Sequence, residues 1–226
     1  ANWKMNPVPA GALAKNSPYL PRPDVDVAVF PAATDLHACI QAGLACGAQW
    51  GHPSDCGAWT GDIGMGMLAA LGCRYVLCGH SERREHHHES DAFVAEQVAA
   101  ALAKNLIPVL CVGETADQRE LDETQEVIGK QLAAVTLDPR VIIAYEPVWA
   151  IGSGKTPSLQ DAQAVHAFIR GLLPEPDAMH ILYGGSMNAK NAADLLAQPD
   201  IDGGLVGGAS LKPEEFRKIV ECAAKK

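Results

Sequence analysis

No apolar run in this chain approaches the ~18 residues that a membrane-crossing helix needs, so no membrane partner is expected. The N-terminus does not follow the positive, apolar, small-residue order of a secretory signal, and a soluble cytoplasmic protein is the expectation. Positive charge is also scarce. With 18 Lys and Arg against 27 Asp and Glu the net charge is −9, and no basic cluster offers a track for a phosphate backbone, which argues against nucleic acid as a partner. An anionic substrate would have to be held by local groups. The seven cysteines (39, 46, 56, 73, 78, 111 and 222) form an odd set without a CxxC pair or zinc-like spacing, and they read as reduced thiols of a cytosolic protein, some of them apolar fillers. The run His86, His87, His88 does not make a metal site, because three adjacent side chains on a regular helix cannot all face one ion. It reads as a solvated patch.

Linkers, low-complexity tracts and breaks in composition are missing as well, so the 226 residues, 48% hydrophobic, are expected to form one domain over 1–226 around one core. Short apolar runs alternate with helix-period stretches from end to end, as in repeated βα units on a parallel sheet. Strands are expected at 24–30, 75–78, 107–112, 141–145, 180–183 and 204–206, with weaker ones at 2–4 and 48–50, making eight. Helices are expected to start at Thr34 or Asp35, at Ser90 or Asp91, and at Ser158, whose spacing to Asp161 is that of a capping box. The first helix should be short. Pro7, Pro9, Gly11, Pro18, Pro21 and Pro23 leave room for about two turns around 11–16. An open doubly wound sheet is the rival architecture, and eight units without an opening GxGxxG favour a closed (β/α)8 barrel.

In such a barrel the residues at strand C-termini share one face, which brings Lys4, His80, Glu146, Ser186 and Gly207 together. The apolar run Val141, Ile142, Ile143 delivers Glu146 into a loop hinged by Pro147 and tipped by Gly152 and Gly154, the placement of a catalytic base beneath a lid. His80 follows a strand and precedes the start of a helix at Ser81, so the helix dipole should disfavour its charged form and leave a neutral donor. The glycine pairs Gly184, Gly185 and Gly207, Gly208 each follow a strand and precede a helix-like stretch, where backbone N–H groups can converge on an anion. Tyr19 and Trp59, without a basic stripe beside them, are packing or interface residues and not stacking platforms for bases.

Five segments occur in a telling order: Asn2-Trp3-Lys4, Gly79 to Arg84, Ala144 to Lys155, Tyr183 to Ser186, and Val206 to Leu211. On these the chain resembles the triosephosphate isomerase family over nearly its whole length. The resemblance implies interconversion of dihydroxyacetone phosphate and D-glyceraldehyde 3-phosphate by proton transfer through an enediolate, in glycolysis and gluconeogenesis. It makes Glu146 the base and His80 the donor to the oxyanion. Lys4 adds positive charge there, Asn2 hydrogen-bonds near the substrate, and Glu82 orients or pairs with Lys4. It assigns the phosphate to the N–H groups of Gly152, Ser186, Gly207 and Gly208. Pro147, Val148 and Trp149 become the first hinge of a lid, Ala150, Ile151, Gly152, Ser153 and Gly154 its tip, and Lys155, Thr156 and Pro157 its second hinge. Ile151 and Leu205 become the apolar cover of the base, expected to raise its proton affinity by desolvation. No metal and no organic cofactor is implied. The stretch Gly57 to Gly61 resembles the family's interdigitating loop, so a homodimer is expected in which Thr60, beside Trp59, reaches the partner's active site.

The chain departs from the family pattern at Trp50, Asp62, Pro157 and Gly204, where Asn, Glu, Ala and Phe are common, and none of these replaces a catalytic group. Other readings remain. A different phosphorylated-sugar isomerase on the same barrel needs a larger pocket than short loops suggest, and a catalytically silent phosphometabolite-binding barrel needs a missing catalytic group.

Overall fold

The computed structural model describes residues 1–151 and 156–226. Six strands, β1 (Gly47–Ala48), β2 (Tyr75–Cys78), β3 (Ile107–Val112), β4 (Ile142–Tyr145), β5 (Ile181–Tyr183) and β6 (Gly203–Gly204), pair in parallel in chain order. The two remaining positions of the barrel are single bridges. Asn2 bridges Phe30 and Val29 bridges Cys46, both in parallel. The circuit closes where the Asn2 N–H donates to Val206 O at 2.8 Å. A ring of eight parallel segments follows, with the expected 24–30 and 2–4 strands reduced to their bridging residues.

The strands carry apolar residues on both faces, as a parallel sheet covered by helices requires. Phe30, Leu77, Val109, Cys111, Ala144 and Leu205 fill the barrel interior. Their neighbours Val76, Leu110, Val112, Ile143 and Tyr145 belong to the outer core between barrel and helices. Burying one such side chain contributes about 1.5–3 kcal/mol. The helices are α1 (Leu36–Gln41), α2 (Met65–Leu71), α3 (Ser81–His87), α4 (Asp91–Ala103), α5 (Ala116–Glu120), α6 (Thr124–Ala133), α7 (Leu159–Leu172), α8 (Ala192–Leu196) and α9 (Pro213–Ala223).

Local chemistry starts them. Ser90 Oγ accepts from the Phe93 N–H at 3.2 Å before α4. Ser158 Oγ accepts from the Asp161 N–H at 3.0 Å before α7, the half of the box that the N-cap side chain supplies. A complete box, with both hydrogen bonds, stands at Thr115 and Gln118 before α5. Pro213 occupies the first turn of α9, where its missing N–H costs nothing.

The shortened first helix is reduced to successive turns, because prolines on both sides leave too few free N–H groups to propagate one. Ala12, Ala14 and Ser17 donate to Pro9, Gly11 and Ala14 carbonyls. Tyr19 anchors the segment: its ring meets Trp3 edge-on at 5.2 Å, stacks on Phe216 at 4.9 Å, and its hydroxyl donates to Ser210 O at 2.6 Å. At Gly204, Met187 takes up the space of the absent side chain, since a Cβ there would lie 2.6 Å from its Sδ.

Candidate active site

The carboxyl ends of the strands open into a cavity of about 590 Å³ whose lining brings together Asn2, Lys4, His80, Glu82, Glu146 and Gly207. A smaller cavity of about 270 Å³, at the opposite end among Tyr75, Val109, Ile142 and Leu182, holds none of these groups.

Glu146 follows the last residue of β4 and extends its ladder, donating its N–H to Val112 O at 2.8 Å. Its neighbours are bare because nothing else fits. A Cβ on Gly113 would lie 1.8 Å from Glu146 O, and one on Gly184 2.8 Å from Glu146 Cγ. The residue is 2% exposed. Its carboxylate accepts from the Ser81 N–H at 2.8 Å and lies 3.0 Å from His80 Nε2. Burial pushes this carboxyl up; His80, the Ser81 N–H and Lys4 pull it down, and the balance lies below the ordinary carboxylate range. The expected rise in proton affinity under Ile151 and Leu205 is therefore corrected. Both residues line the cavity and desolvation is the largest single influence, but the charge interaction and hydrogen bond of His80, the Ser81 N–H and Lys4 together outweigh it.

His80 caps α3. Its Nδ1 accepts from the Glu82 N–H at 3.2 Å, so the ring proton sits on Nε2 and points to Glu146. Burial lowers the His80 pKa and the Glu146 carboxylate raises it, with the carboxylate prevailing while the two are in contact. The accepting Nδ1 favours the neutral tautomer, but the raised pKa runs against the lowering expected at a helix start, because the Glu146 carboxylate lies 3.0 Å from Nε2.

Asn2 Nδ2 lies 3.3 Å from His80 Nε2, while Asn2 Oδ1 accepts from the Lys4 N–H at 3.0 Å. Lys4 Nζ donates to Glu82 Oε1 at 2.7 Å, the pairing expected of these two residues. The Lys4 backbone has φ of 50°, a left-handed conformation costing about 1–3 kcal/mol for a side-chain-bearing residue. Gln49 holds it there by donating to Lys4 O at 2.7 Å and to Phe30 O at 2.9 Å.

Next to Lys4, whose Cε would lie 3.3 Å from a Cβ on Gly207, a 3₁₀ turn, Gly208–Leu211, begins directly after Gly207. The N–H groups of Ser186, Gly207 and Gly208 donate to no acceptor among the described residues, and all three residues line the cavity. A methyl group on Gly208 would meet nothing within 4 Å. The other glycine pair differs from expectation, because α8 begins only at Ala192, after a turn. Its contribution is an extended loop that presents Ser186 to the cavity.

Of the expected lid, Pro147 leads into a 3₁₀ turn at Val148–Ala150, and Ala150 O accepts from Ser186 Oγ at 3.3 Å. Trp149 Nε1 donates to Glu114 Oε1 at 2.8 Å, and Tyr145 OH lies 3.2 Å from the same oxygen. Gly152, Ser153, Gly154 and Lys155 lie outside the described residues. Glu114, fully buried, was not legible as a partner of the hinge, although it stands two residues after β3, next to the Gly113 that is level with Glu146. Ser81 and Gly113 were missed for a similar reason: one acts through its backbone and the other through lacking a side chain.

Thr60 and Trp59 are exposed and do not line this chain's cavity, and Trp59 packs on His52 at 4.4 Å. Trp50 is covered by the Arg83 guanidinium, 4.7 Å from its ring. His86, His87 and His88 are exposed, and among the described residues no three metal-binding side chains cluster.

These features agree with comparisons to known proteins. The family model for triosephosphate isomerase matches residues 1–223. A triosephosphate isomerase of Thiobacillus denitrificans is 48% identical over 99% of this chain and 97% of its own length. One of Albidiferax ferrireducens is 46% identical over 98% and 96%, and one of Cupriavidus pinatubonensis 48% identical over 96% of each. With that match over nearly every residue, and with the cavity's carboxylate, imidazole and ammonium in place, the chain belongs to the triosephosphate isomerase family.

Proposed function

We infer that this chain is a triose-phosphate isomerase, moving a carbonyl between adjacent carbons of a phosphorylated triose by proton transfer. The observation that carries this reading is the Glu146 carboxylate beside the His80 Nε2–H in one buried pair, with Lys4 on the same cavity wall. Shifting a carbonyl to its neighbour requires a base for a weakly acidic C–H proton and donors for the enediolate oxygen that results. Glu146 is the base. His80, through Nε2–H, and Lys4, through its ammonium, stabilise the oxyanion; Asn2 hydrogen-bonds near the substrate and accepts from the Lys4 N–H, and Glu82 keeps Lys4 oriented. To reach a substrate carbon, Glu146 must give up the Ser81 N–H and His80, and as it leaves, its hold on a second His80 proton leaves with it.

The phosphate is received by the N–H groups of Ser186, Gly207 and Gly208, which the fold leaves without acceptors among the described residues. Gly152 would join them in the family's pattern, and Pro147 to Ile151 would form the leading part of its lid. No metal or organic cofactor enters any of these steps.

The same reading makes the protein a homodimer in the cytoplasm, working in glycolysis and gluconeogenesis. Support for the dimer comes from Trp59, 53% exposed, and Met5, 95% exposed. Met5 lines a third cavity, of about 570 Å³, beside Asn2, Lys4 and Glu82, where a partner's Thr60 loop would bear on Lys4. All seven cysteines are free, which suits a reducing compartment. A coupled assay with D-glyceraldehyde 3-phosphate tests the activity. Turnover by the purified chain supports the isomerase, and phosphate binding without turnover would support the silent binding barrel instead.

A further inference from the structure

The described residues lining the 590 Å³ cavity carry three carboxylates, Glu82, Glu146 and Glu215, against two ammonium groups, Lys4 and Lys212. The whole chain has a net charge of −9. A phosphorylated triose, itself close to a dianion at neutral pH, meets a repulsive molecule and a lining with one more negative than positive group. Lys4 does little to offset this at a distance, because its Nζ is hydrogen-bonded to Glu82 at 2.7 Å. Lys212 is differently placed. Its nearest carboxylate, Glu215 Oε2, is 3.8 Å away, beyond hydrogen-bond reach, and its side chain is 77% exposed.

Its backbone is nevertheless fixed. Lys212 closes the 3₁₀ turn that starts at Gly208 and caps α9, donating its N–H to Ala209 O at 3.3 Å and accepting from Glu215 N–H at 3.0 Å and Phe216 N–H at 2.9 Å. The base of the side chain is thus fixed to the loop of Gly207 and Gly208, which line the same cavity, while the ammonium itself is largely exposed.

We infer that Lys212 steers the phosphate end of the substrate into the cavity, and that Glu215 tempers it. This rests on the isomerase reading for the substrate's identity, but the charge argument applies to any small phosphate. Lys212 acts on the approach and binding of the anion, and takes no part in proton transfer. A unit charge and a dianion about 7 Å apart in water interact strongly enough to change affinity roughly five- to tenfold, and salt should remove most of that as the screening length falls from ~30 Å to under 10 Å.

The experiment measures inorganic phosphate binding by calorimetry, and kcat and KM in the coupled assay, for the wild type, Lys212→Gln and Glu215→Gln, between 10 and 300 mM ionic strength. At low salt Lys212→Gln should bind phosphate about five- to tenfold more weakly, with the loss in turnover falling on KM more than on kcat. Its salt dependence should be shallower than that of the wild type. Glu215→Gln should shift both quantities the other way. Wild-type phosphate affinity in Lys212→Gln at every salt concentration would overturn the inference, as would a Lys212→Gln defect confined to kcat. Weaker phosphate binding by Lys212→Gln in a protein without isomerase turnover would uphold the steering role and sink only the isomerase reading.

Discussion

The Glu146 Oε1 lies 3.0 Å from the His80 Nε2, so the two groups assigned to opposite ends of the proton chemistry are each other's partners in this arrangement. Burial alone would raise the carboxyl; the charge interaction and hydrogen bond of His80, with the Ser81 N–H, lower it. Because its folded pKa is depressed, Glu146 contributes stability above its unfolded pKa, and that contribution is lost as pH falls through the folded value. Carboxyl-carbon NMR titration should therefore give a midpoint below the ordinary 4.5, and His80→Ala should move it up. A wild-type midpoint above 4.5 would contradict the pairing described here.

Gly113 and Gly129 make a contrasting pair. A Cβ on Gly113 would collide with Glu146 O at 1.8 Å, whereas one on Gly129, within α6, meets nothing within 4 Å. Gly113→Ala should lose about 3 kcal/mol or more, through the forced shift of the Glu146 backbone. Gly129→Ala should gain roughly 0.5–1 kcal/mol from helix propensity. Urea unfolding of both variants checks the contrast, and equal midpoints would count against the packing around Glu146.

His166 is fully buried in α7, facing Tyr145 and Tyr183 at 5.5 and 6.0 Å, with Nδ1 2.7 Å from Ala162 O. Burial lowers its pKa from the ordinary 6.5. The unfolded chain then binds a proton that the folded one does not, so the stability linked to this residue is full above 6.5 and lost as pH falls below it. Unfolding midpoints between pH 5 and 8 should fall on the acid side for the wild type, and His166→Gln should flatten that slope. An unchanged slope in the variant would place the acid sensitivity elsewhere.

Arg170 ties the end of α7 to the loop before β6, pairing with Asp200 at 3.2 Å and Asp202 at 2.7 Å and donating to the Pro176 and Met179 carbonyls. Its side chain is 18% exposed, so the cost of breaking the network sits between surface and buried cases. Arg170→Ala should destabilise by about 2–3 kcal/mol, leaving two carboxylates without their cation. A loss under 0.5 kcal/mol in thermal or urea unfolding would show that solvent screens the cluster.

Much of this was legible in the chain because strand ends and helix starts are written locally. The runs at 75–78 and 107–112 are the strands β2 and β3 without a residue's difference, and the caps at Ser90 and Ser158 are those that the side chains make. Glu146, His80 and Lys4 were readable because a barrel gathers strand ends on one face. The extent of the strands expected at 24–30 and 2–4 was not, since Asn2, Val29 and Phe30 are held by partners far along the chain rather than by their own pattern. The net state of Glu146 is not legible for a related reason. Its apolar surroundings can be inferred from residue types, but the His80 and Ser81 contacts that offset them depend on how α3 is placed against β4. The role of Gly113 is invisible without the 1.8 Å clearance that defines it.

The central claim is that Glu146 moves the proton. The most direct measurement follows D-glyceraldehyde 3-phosphate in heavy water with purified wild type and Glu146→Gln, reading deuterium at the carbon next to the carbonyl by NMR. The wild type should isomerise the substrate and incorporate deuterium, and a folded Glu146→Gln that still binds phosphate should do both about 10²- to 10⁴-fold more slowly or worse. Near-normal isomerisation and exchange by that variant would contradict the account.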